Sequence, residues 1–296
     1  MADRYPGTSG RTRPGTTVAD MIDAGHAGPD ARLAVIGGGK IGEALLAGLV
    51  RQAGDGREFL VVERSPERAA ELTARYGVGT TDLAGAAARA RVLLLAVKPQ
   101  DIDALLAALG PHVTPEHLVV SVAAGVPTSR VEEALPAGTP VVRVMPNTPA
   151  LVDAGMSVLS AGAHATEAHL DEAEALLLPV GQVRRVPESQ QDAVTALSGS
   201  GPAYFFFLVE AMIDAGILLG LPRTVAADLI VQTAYGAAVM LRDSGEHPVQ
   251  LREAVTSPGG TTIAAIRELE RHGVRAALIA AIEAAHQRSV ELGRTS

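Results

Sequence analysis

Two short stretches of this 296-residue chain carry residue types that could do chemistry. The first is Gly37-Gly38-Gly39-Lys40-Ile41-Gly42, which fits G-x-G-x-x-G through Gly37, Gly39 and Gly42. It follows the apolar run Leu33-Ala34-Val35-Ile36 and opens a stretch at helical spacing, Ile41 to Arg51. In that setting each glycine has a task. Gly37 allows a tight turn, Gly39 lets backbone approach a pyrophosphate, and Gly42 lets helix and strand pack closely. The N-terminus of the helix offers free N–H groups to the phosphates. The expected ligand is a dinucleotide; the alternative is an ordinary glycine-rich turn.

The second stretch is Thr256-Ser257-Pro258-Gly259-Gly260-Thr261-Thr262, just before a helix expected near Ile263. Two glycines and four hydroxyls beside a helix start make an anion-binding corner, where backbone N–H groups could meet a carboxylate. The same residues also fit a tight interhelical turn with a threonine cap. Residue types alone leave both readings open.

The end of the second strand should decide the kind of dinucleotide. Glu63 lies about 20 residues beyond the glycine loop, where a carboxylate bonds a ribose 2′-OH and favours NAD. Arg64 follows it and Arg68 lies one turn later, where a guanidinium would grip the 2′-phosphate of NADP. The signals conflict, and the two cations tilt the expectation toward NADPH, with NADH still admissible. Further loops at strand ends are Ala96-Val97-Lys98-Pro99, Val122-Ala123-Ala124-Gly125 and Met145-Pro146-Asn147-Thr148-Pro149. The small Ala123 and Ala124 would let a flat ring lie close. Lys98, the only lysine besides Lys40, could serve as an acid, line the cofactor or stand on the surface.

Other chemistries are excluded or weakened. With no cysteine there are no disulfides, thiolate metal sites or cysteine nucleophiles. The eight histidines show no metal-ligand spacing such as H-E-x-x-H, so no metal is expected. Ser198-Gly199-Ser200-Gly201-Pro202 lacks the spacing of a nucleophile elbow and reads as a kinked helix junction. A net charge of −8 argues against a phosphate-backbone binder, and no tryptophan with four Phe and four Tyr argues against stacking platforms.

The elements that must position these residues follow from periodicity. Apolar residues make up 47% and charged residues 20%, enough for a sizeable core. Continuous apolar runs at Leu33–Ile36, Phe59–Val62, Val92–Val97, Leu118–Val122 and Val141–Val144 read as strands buried on both faces. Helical stretches at Ile41 to Arg51 and Pro66 to Tyr76 alternate with the early ones, which gives a parallel sheet with right-handed crossovers. Thr166 to Leu178 reads as one more helix and Gln182 to Val186 as a last strand. After Glu188 only helices are expected: Ala203 to Leu219, Arg223 to Leu241, Leu251 to Val255, and Ile263 to Leu292 with breaks. Several look apolar on most faces and call for burial in an interface. The expected class is therefore α/β, a doubly wound sheet over residues 31–188 followed by a helical domain over 189–296. Residues 1–30, rich in Gly, Thr, Arg, Pro and Asp, read as a disordered extension. Asp3, Asp20, Asp23 and Asp30 argue against a mitochondrial presequence, no signal-peptide core appears, and the uncharged run Ala193 to Val209 is too short for a bilayer. A soluble, cytoplasmic protein is expected.

At this point the residues resemble the bacterial pyrroline-5-carboxylate reductase family. The matching stretches are Ile36 to Leu46, Ala96 to Pro99, Val141 to Leu151, Asp192 to Gly216 and Leu251 to Glu270, with Ser257 to Ile263 the most diagnostic. The resemblance implies a Rossmann dinucleotide-binding domain, an interlocking helical dimerisation and substrate-binding domain, and assembly as a homodimer or a decamer of five dimers. It implies reduction of 1-pyrroline-5-carboxylate to L-proline with NAD(P)H, the last step of proline biosynthesis. The substrate would lie between one subunit's nicotinamide and its partner's Ser-Pro-Gly-Gly loop. Carried over, Gly260 and Thr261 hold the carboxylate through N–H groups beside Ser257 and Gly259, and Thr262 bonds the ring nitrogen as the catalytic contact. Glu188 falls on a position that touches cofactor in some relatives. Two departures stand out: Leu83 replaces an asparagine that contacts cofactor in some relatives, and Glu63 is unusual for a strictly NADP-preferring member. Two rival readings are a reductase for another cyclic imine or a 2-hydroxyacid, with Lys98 as acid, and a nicotinamide-binding sensor without turnover.

Overall fold

The computed structural model describes residues 31–295, so the expected disordered extension, residues 1–30, lies outside the described residues. The chain divides into two compact units between Gln191 and Asp192.

The first unit is one eight-stranded sheet in the order β3-β2-β1-β4-β5-β6-β7-β8. Its strands are β1 Ala31–Ile36, β2 Phe59–Val62, β3 Gly79–Thr80, β4 Ala90–Leu95, β5 Leu118–Ser121, β6 Val141–Met145, β7 Gly155–Ala161 and β8 Gly181–Arg185. All neighbours are parallel except β6 and β7, which run antiparallel with Val144 opposite Leu159. The helices between strands are α1 Lys40–Ala53, α2 Pro66–Tyr76, α3 Leu83–Arg89, α4 Ile102–Leu109, α5 Thr128–Glu133 and α6 Glu167–Leu177.

Side chains alternate along a strand, and a sheet buried on both faces needs two cores. Both are present. Leu33, Val35, Val61 and Val92 face Leu45, Leu46 and Leu49 of α1 and Leu176 of α6. Ala34, Ile36, Leu60 and Leu93 face Ala86 of α3 and Ile102, Leu106 and Leu109 of α4. That is why these strands read as unbroken apolar runs. Two strands escape such a reading. β3 has only two residues, and β7 mixes apolar residues with Ser157 and Ser160, both buried. The last residues of the expected third run, Ala96 and Val97, leave the sheet after Leu95 and form a loop.

The second unit continues from a short helix, α7 Gln191–Val194, through a π-helical turn at Thr195–Gly199 into α8 Gly201–Leu218. The kinked junction expected at Ser198–Pro202 is thus a wide turn with Pro202 in the first turn of α8. Helices α9 Arg223–Asp243, α10 Pro248–Ala254, α11 Thr261–Arg271 and α12 Val274–Thr295 complete it. Gly220, with φ of +91°, makes the turn between α8 and α9. Helix α8 carries three consecutive phenylalanines, Phe205, Phe206 and Phe207, that are 68%, 68% and 71% exposed. By length and composition the stretches Glu188–Leu218 and Arg223–Asp243 could each cross a membrane. The first is longer than the run Ala193 to Val209 indicated, because the chain stays helical through the junction. Asp192, Glu210 and Asp214 interrupt its apolar surface.

Candidate active site

The order β3-β2-β1-β4 places the carboxyl ends of β1 and β4 side by side, where the direction of winding reverses. That is where open α/β sheets bind ligands. Main-chain bonds pin the strand ends together: Gly37 N–H donates to Val62 O at 2.9 Å and Ala96 N–H to Ile36 O at 2.8 Å. Gly37 has φ of +106°, and a Cβ there would lie 2.7 Å from Ala96 O. The start of α1 is pressed against this turn, because a Cβ on Gly42 would lie 2.1 Å from Gly37 O. A Cβ on Gly39 would meet nothing within 4 Å among the described residues, which leave the loop open on one side. Helix α1 has no side-chain cap, which leaves its first N–H groups for a ligand.

Charged side chains grip both ends of Gly38. Its N–H donates to Glu63 Oε2 at 2.7 Å, and its carbonyl accepts from Arg68 Nε at 2.9 Å. The other oxygen of Glu63 accepts from Ser65 N–H at 3.1 Å. Arg68 also bonds Glu71 and Glu43. The guanidinium expected to be available to a 2′-phosphate is therefore committed to the loop and to α1. Glu43, in the first turn of α1, further accepts from Arg75 at 2.8 Å and from the Tyr76 hydroxyl at 2.9 Å. Burial pushes the Glu43 carboxyl up, but the hydrogen bonds from Arg68, Tyr76 and Arg75 outweigh it and hold the group below its ordinary value. Stability from this cluster is then fully present above the ordinary glutamate value and lost as pH falls through the depressed one. Glu43→Gln is expected to cost about 1–2 kcal/mol near neutrality. In urea unfolding across an acid pH series, its gap to wild type should close; a constant gap would show that the charge is not what binds α2 to α1.

A cleft of about 630 Å³ opens beside the loop. Of the residues expected to bind cofactor, Gly37, Gly39, Glu63, Arg64, Ala96, Val97 and Lys98 line it. Gly38, Lys40, Ile41 and Gly42 belong to the loop and helix start behind these, with Gly38 and Gly42 buried and Lys40 exposed. Pro99 opens the single turn Pro99–Asp101. Ala123 is buried in the core, and Ala124 is half-buried beside it. Neither is part of the cleft lining. Glu188 turns elsewhere: its oxygens accept from Thr128 N–H at 2.8 Å, Thr128 Oγ1 at 2.6 Å and Arg143 Nη1 at 3.2 Å. The carboxylate ties α5 to β6. Residues not anticipated also line the cleft: Thr81, Asp82 and Asp101 on the polar side, and Ala104, Leu105 and Ala108 beside Leu83 on the apolar side. No local motif marks them; only the sheet order brings the loops after β3 and β4 to the end of β2.

The second stretch lies in the second unit. Gly260 N–H donates to Ser257 O at 3.1 Å, which closes Ser257–Gly260 into a turn. Pro258 and Gly259, with φ of +68°, fill its central positions as a type II turn requires. A Cβ on Gly260 would lie 2.3 Å from Ser257 Oγ, so only glycine keeps that hydroxyl in place. The residue capping α11 is Gly260 and no side chain caps it, so the threonine-capped turn is not what forms. The N–H of Gly260 is used inside the turn, unlike the carried-over role; those of Thr261 and Thr262 lie in the uncapped first turn. Thr261 is exposed and Thr262 half-buried.

A glycine loop at the switch point of a parallel sheet, an uncapped helix behind it and a cleft sized for a nucleotide define a dinucleotide-binding oxidoreductase unit, here followed by a helical unit. Residues 32–125 match the family model described as NADP oxidoreductase, coenzyme F420-dependent, and residues 188–292 match the one for pyrroline-5-carboxylate reductase dimerisation. The pyrroline-5-carboxylate reductase of Mycobacterium tuberculosis is 48% identical over 88% of this chain and 97% of its own length. That of Corynebacterium melassecola is 47% identical over 88% and 98%. Among solved structures, the Coxiella burnetii pyrroline-5-carboxylate reductase superposes with a TM-score of 0.83 at 38% identity, covering 89% of this chain and 98% of that one. The Plasmodium falciparum pyrroline carboxylate reductase, solved with NADP bound, superposes at 0.80 and 27% identity, covering 90% and 100%. This chain belongs to the pyrroline-5-carboxylate reductase family.

Proposed function

We propose that this protein reduces 1-pyrroline-5-carboxylate to L-proline with NADPH or NADH, as the last step of proline biosynthesis, in the cytoplasm. Family membership over nearly the whole described chain carries this reading, and the uncapped Ser257–Thr262 corner supports it locally. A homodimer through the helical unit, assembling further into a decamer of five dimers, belongs to the same reading.

The residues of the cleft suit a dinucleotide. Gly37 makes the tight turn, Gly39 leaves room for backbone against a pyrophosphate, and the first turn of α1 supplies N–H groups. Leu83, Leu105 and Ala108 offer an apolar wall for a base. When bound, the reduced nicotinamide supplies hydride for the imine carbon. The chain itself has to orient the imine and keep its nitrogen protonated. Thr261 and Thr262 offer uncapped N–H groups, and Ser257 a hydroxyl, to the substrate carboxylate, while the Thr262 hydroxyl holds the ring nitrogen. A protonated imine is already electrophilic, so the site needs no strong acid. Positioning is its main contribution.

The test follows NADPH and NADH oxidation separately with 1-pyrroline-5-carboxylate. Oxidation yielding proline is expected; none from a folded protein that binds the cofactor would sink the proposal. Thr262→Ala is expected to lower kcat about tenfold, the worth of one substrate hydrogen bond, while NADPH affinity changes far less. Unchanged kcat would remove Thr262 from its role.

A further inference from the structure

Five charged residues line the dinucleotide cleft: Glu63, Arg64, Asp82, Lys98 and Asp101. Two of the carboxylates are already engaged with main-chain N–H groups, Glu63 with Gly38 and Ser65, and Asp82 with Gly85 at 2.8 Å. Arg68 is occupied by Gly38 and two glutamates. Arg64 is different. It stands at the end of β2, 85% exposed, and Nη2 lies 3.3 Å from Oδ2 of Asp101, in the turn after β4. The pair joins two loops on the lining of one cleft. An exposed, single-contact ion pair is weak and screened, so a stronger anion displaces it.

We propose that Asp101 is a specificity-determining residue, whose carboxylate competes with the 2′-phosphate of NADP(H) for the guanidinium of Arg64. The inference rests on the proposed dinucleotide role of the cleft. With a free ribose, the pair stays closed and Glu63, fixed by the loop, still offers lone pairs to a 2′-OH. With a 2′-phosphate, Arg64 must leave Asp101, and Asp101 then faces a like charge. Both cofactors are accepted, and the pair sets their ratio. Glu63, the residue that signals NAD by its position, is a loop anchor common to both.

Direct titration with NADPH and NADH, without imine, tests this in wild type, Asp101→Asn, Arg64→Ala and the double variant. Asp101→Asn is expected to tighten NADPH about five- to tenfold relative to NADH. Arg64→Ala should weaken NADPH about tenfold or more relative to NADH. In the Arg64→Ala background the Asp101→Asn shift should shrink to about twofold or less, the remainder left by screened like-charge repulsion. A shift equal for both cofactors, or one that persists at full size without Arg64, would overturn the competition. Failure to bind either dinucleotide would overturn it together with the reading it rests on. The expected shifts in a protein that leaves the imine untouched would uphold the competition and sink the proposed reaction.

Discussion

Gly42→Val is expected to lower affinity for NADPH and NADH alike by about 100-fold or more, because it moves α1, the helix proposed to face the phosphates, as a whole. The space for a side chain does not exist: a Cβ at this position would sit 2.1 Å from the carbonyl oxygen of Gly37 and 3.2 Å from the Ala96 side chain. Gly37 cannot retreat, since its own N–H is bonded to Val62 and it lies against the Ala96 carbonyl. Relief can come only from α1 lifting off β1 and β4, which carries its first-turn N–H groups away from the cleft and opens the packing around Leu45 and Leu46. Stability should fall as well. Gly39→Ala separates the two effects. Among the described residues nothing stands within 4 Å of its Cβ, so the fold should tolerate the methyl while the dinucleotide loses its close approach. Titration of both variants, with thermal unfolding alongside, checks this. Near-native affinity in Gly42→Val would mean that the helix start does not hold the phosphates.

The residues behind this prediction were legible in the sequence because the constraint is local. Gly37, Gly39 and Gly42 sit in one turn, and the apolar runs at Leu33–Ile36 and Phe59–Val62 announce buried parallel strands by themselves. The helical elements after Glu188 were equally readable from their length and periodicity. What could not be read was set by partners far apart in the chain. The clamp on Gly38 comes from Glu63 and Arg68, 25 and 30 residues away. Position alone presents these two as rival readers of a ribose; geometry makes both of them supports for the loop. Asp101 was invisible for the same reason, since its meeting with Arg64 depends on strand order. β7 was missed because buried Ser157 and Ser160 break its apolar pattern; the Ser160 hydroxyl is satisfied there by donating to Val186 O at 2.8 Å.

Phe206→Glu is expected to break the assembly into monomers whose helical unit no longer unfolds cooperatively at high temperature. Within 192–293 only Ala196, Gly201, Ala226 and Ser289 are buried. Four small residues are no core, and the large apolar side chains of this unit point outward, among them Leu218 at 87%, Leu219 at 85% and Tyr235 at 66%. An exposed apolar surface of this extent calls for a partner, and the match of residues 188–292 to the dimerisation model supports the proposed second copy of the chain. Burying one phenylalanine is worth about 1.5–3 kcal/mol, and a two-fold interface counts it twice. Replacing it with a carboxylate removes that gain and adds the cost of desolvating a charge, so the dissociation constant should rise at least ~100-fold. Light scattering after size exclusion gives the mass, and melting at two protein concentrations gives the linkage: wild type should melt higher when concentrated, because assembly stabilises the folded chain by mass action. A wild-type protein that is monomeric, with a melting temperature independent of concentration, would mean that these phenylalanines are covered by something other than a second copy of the chain.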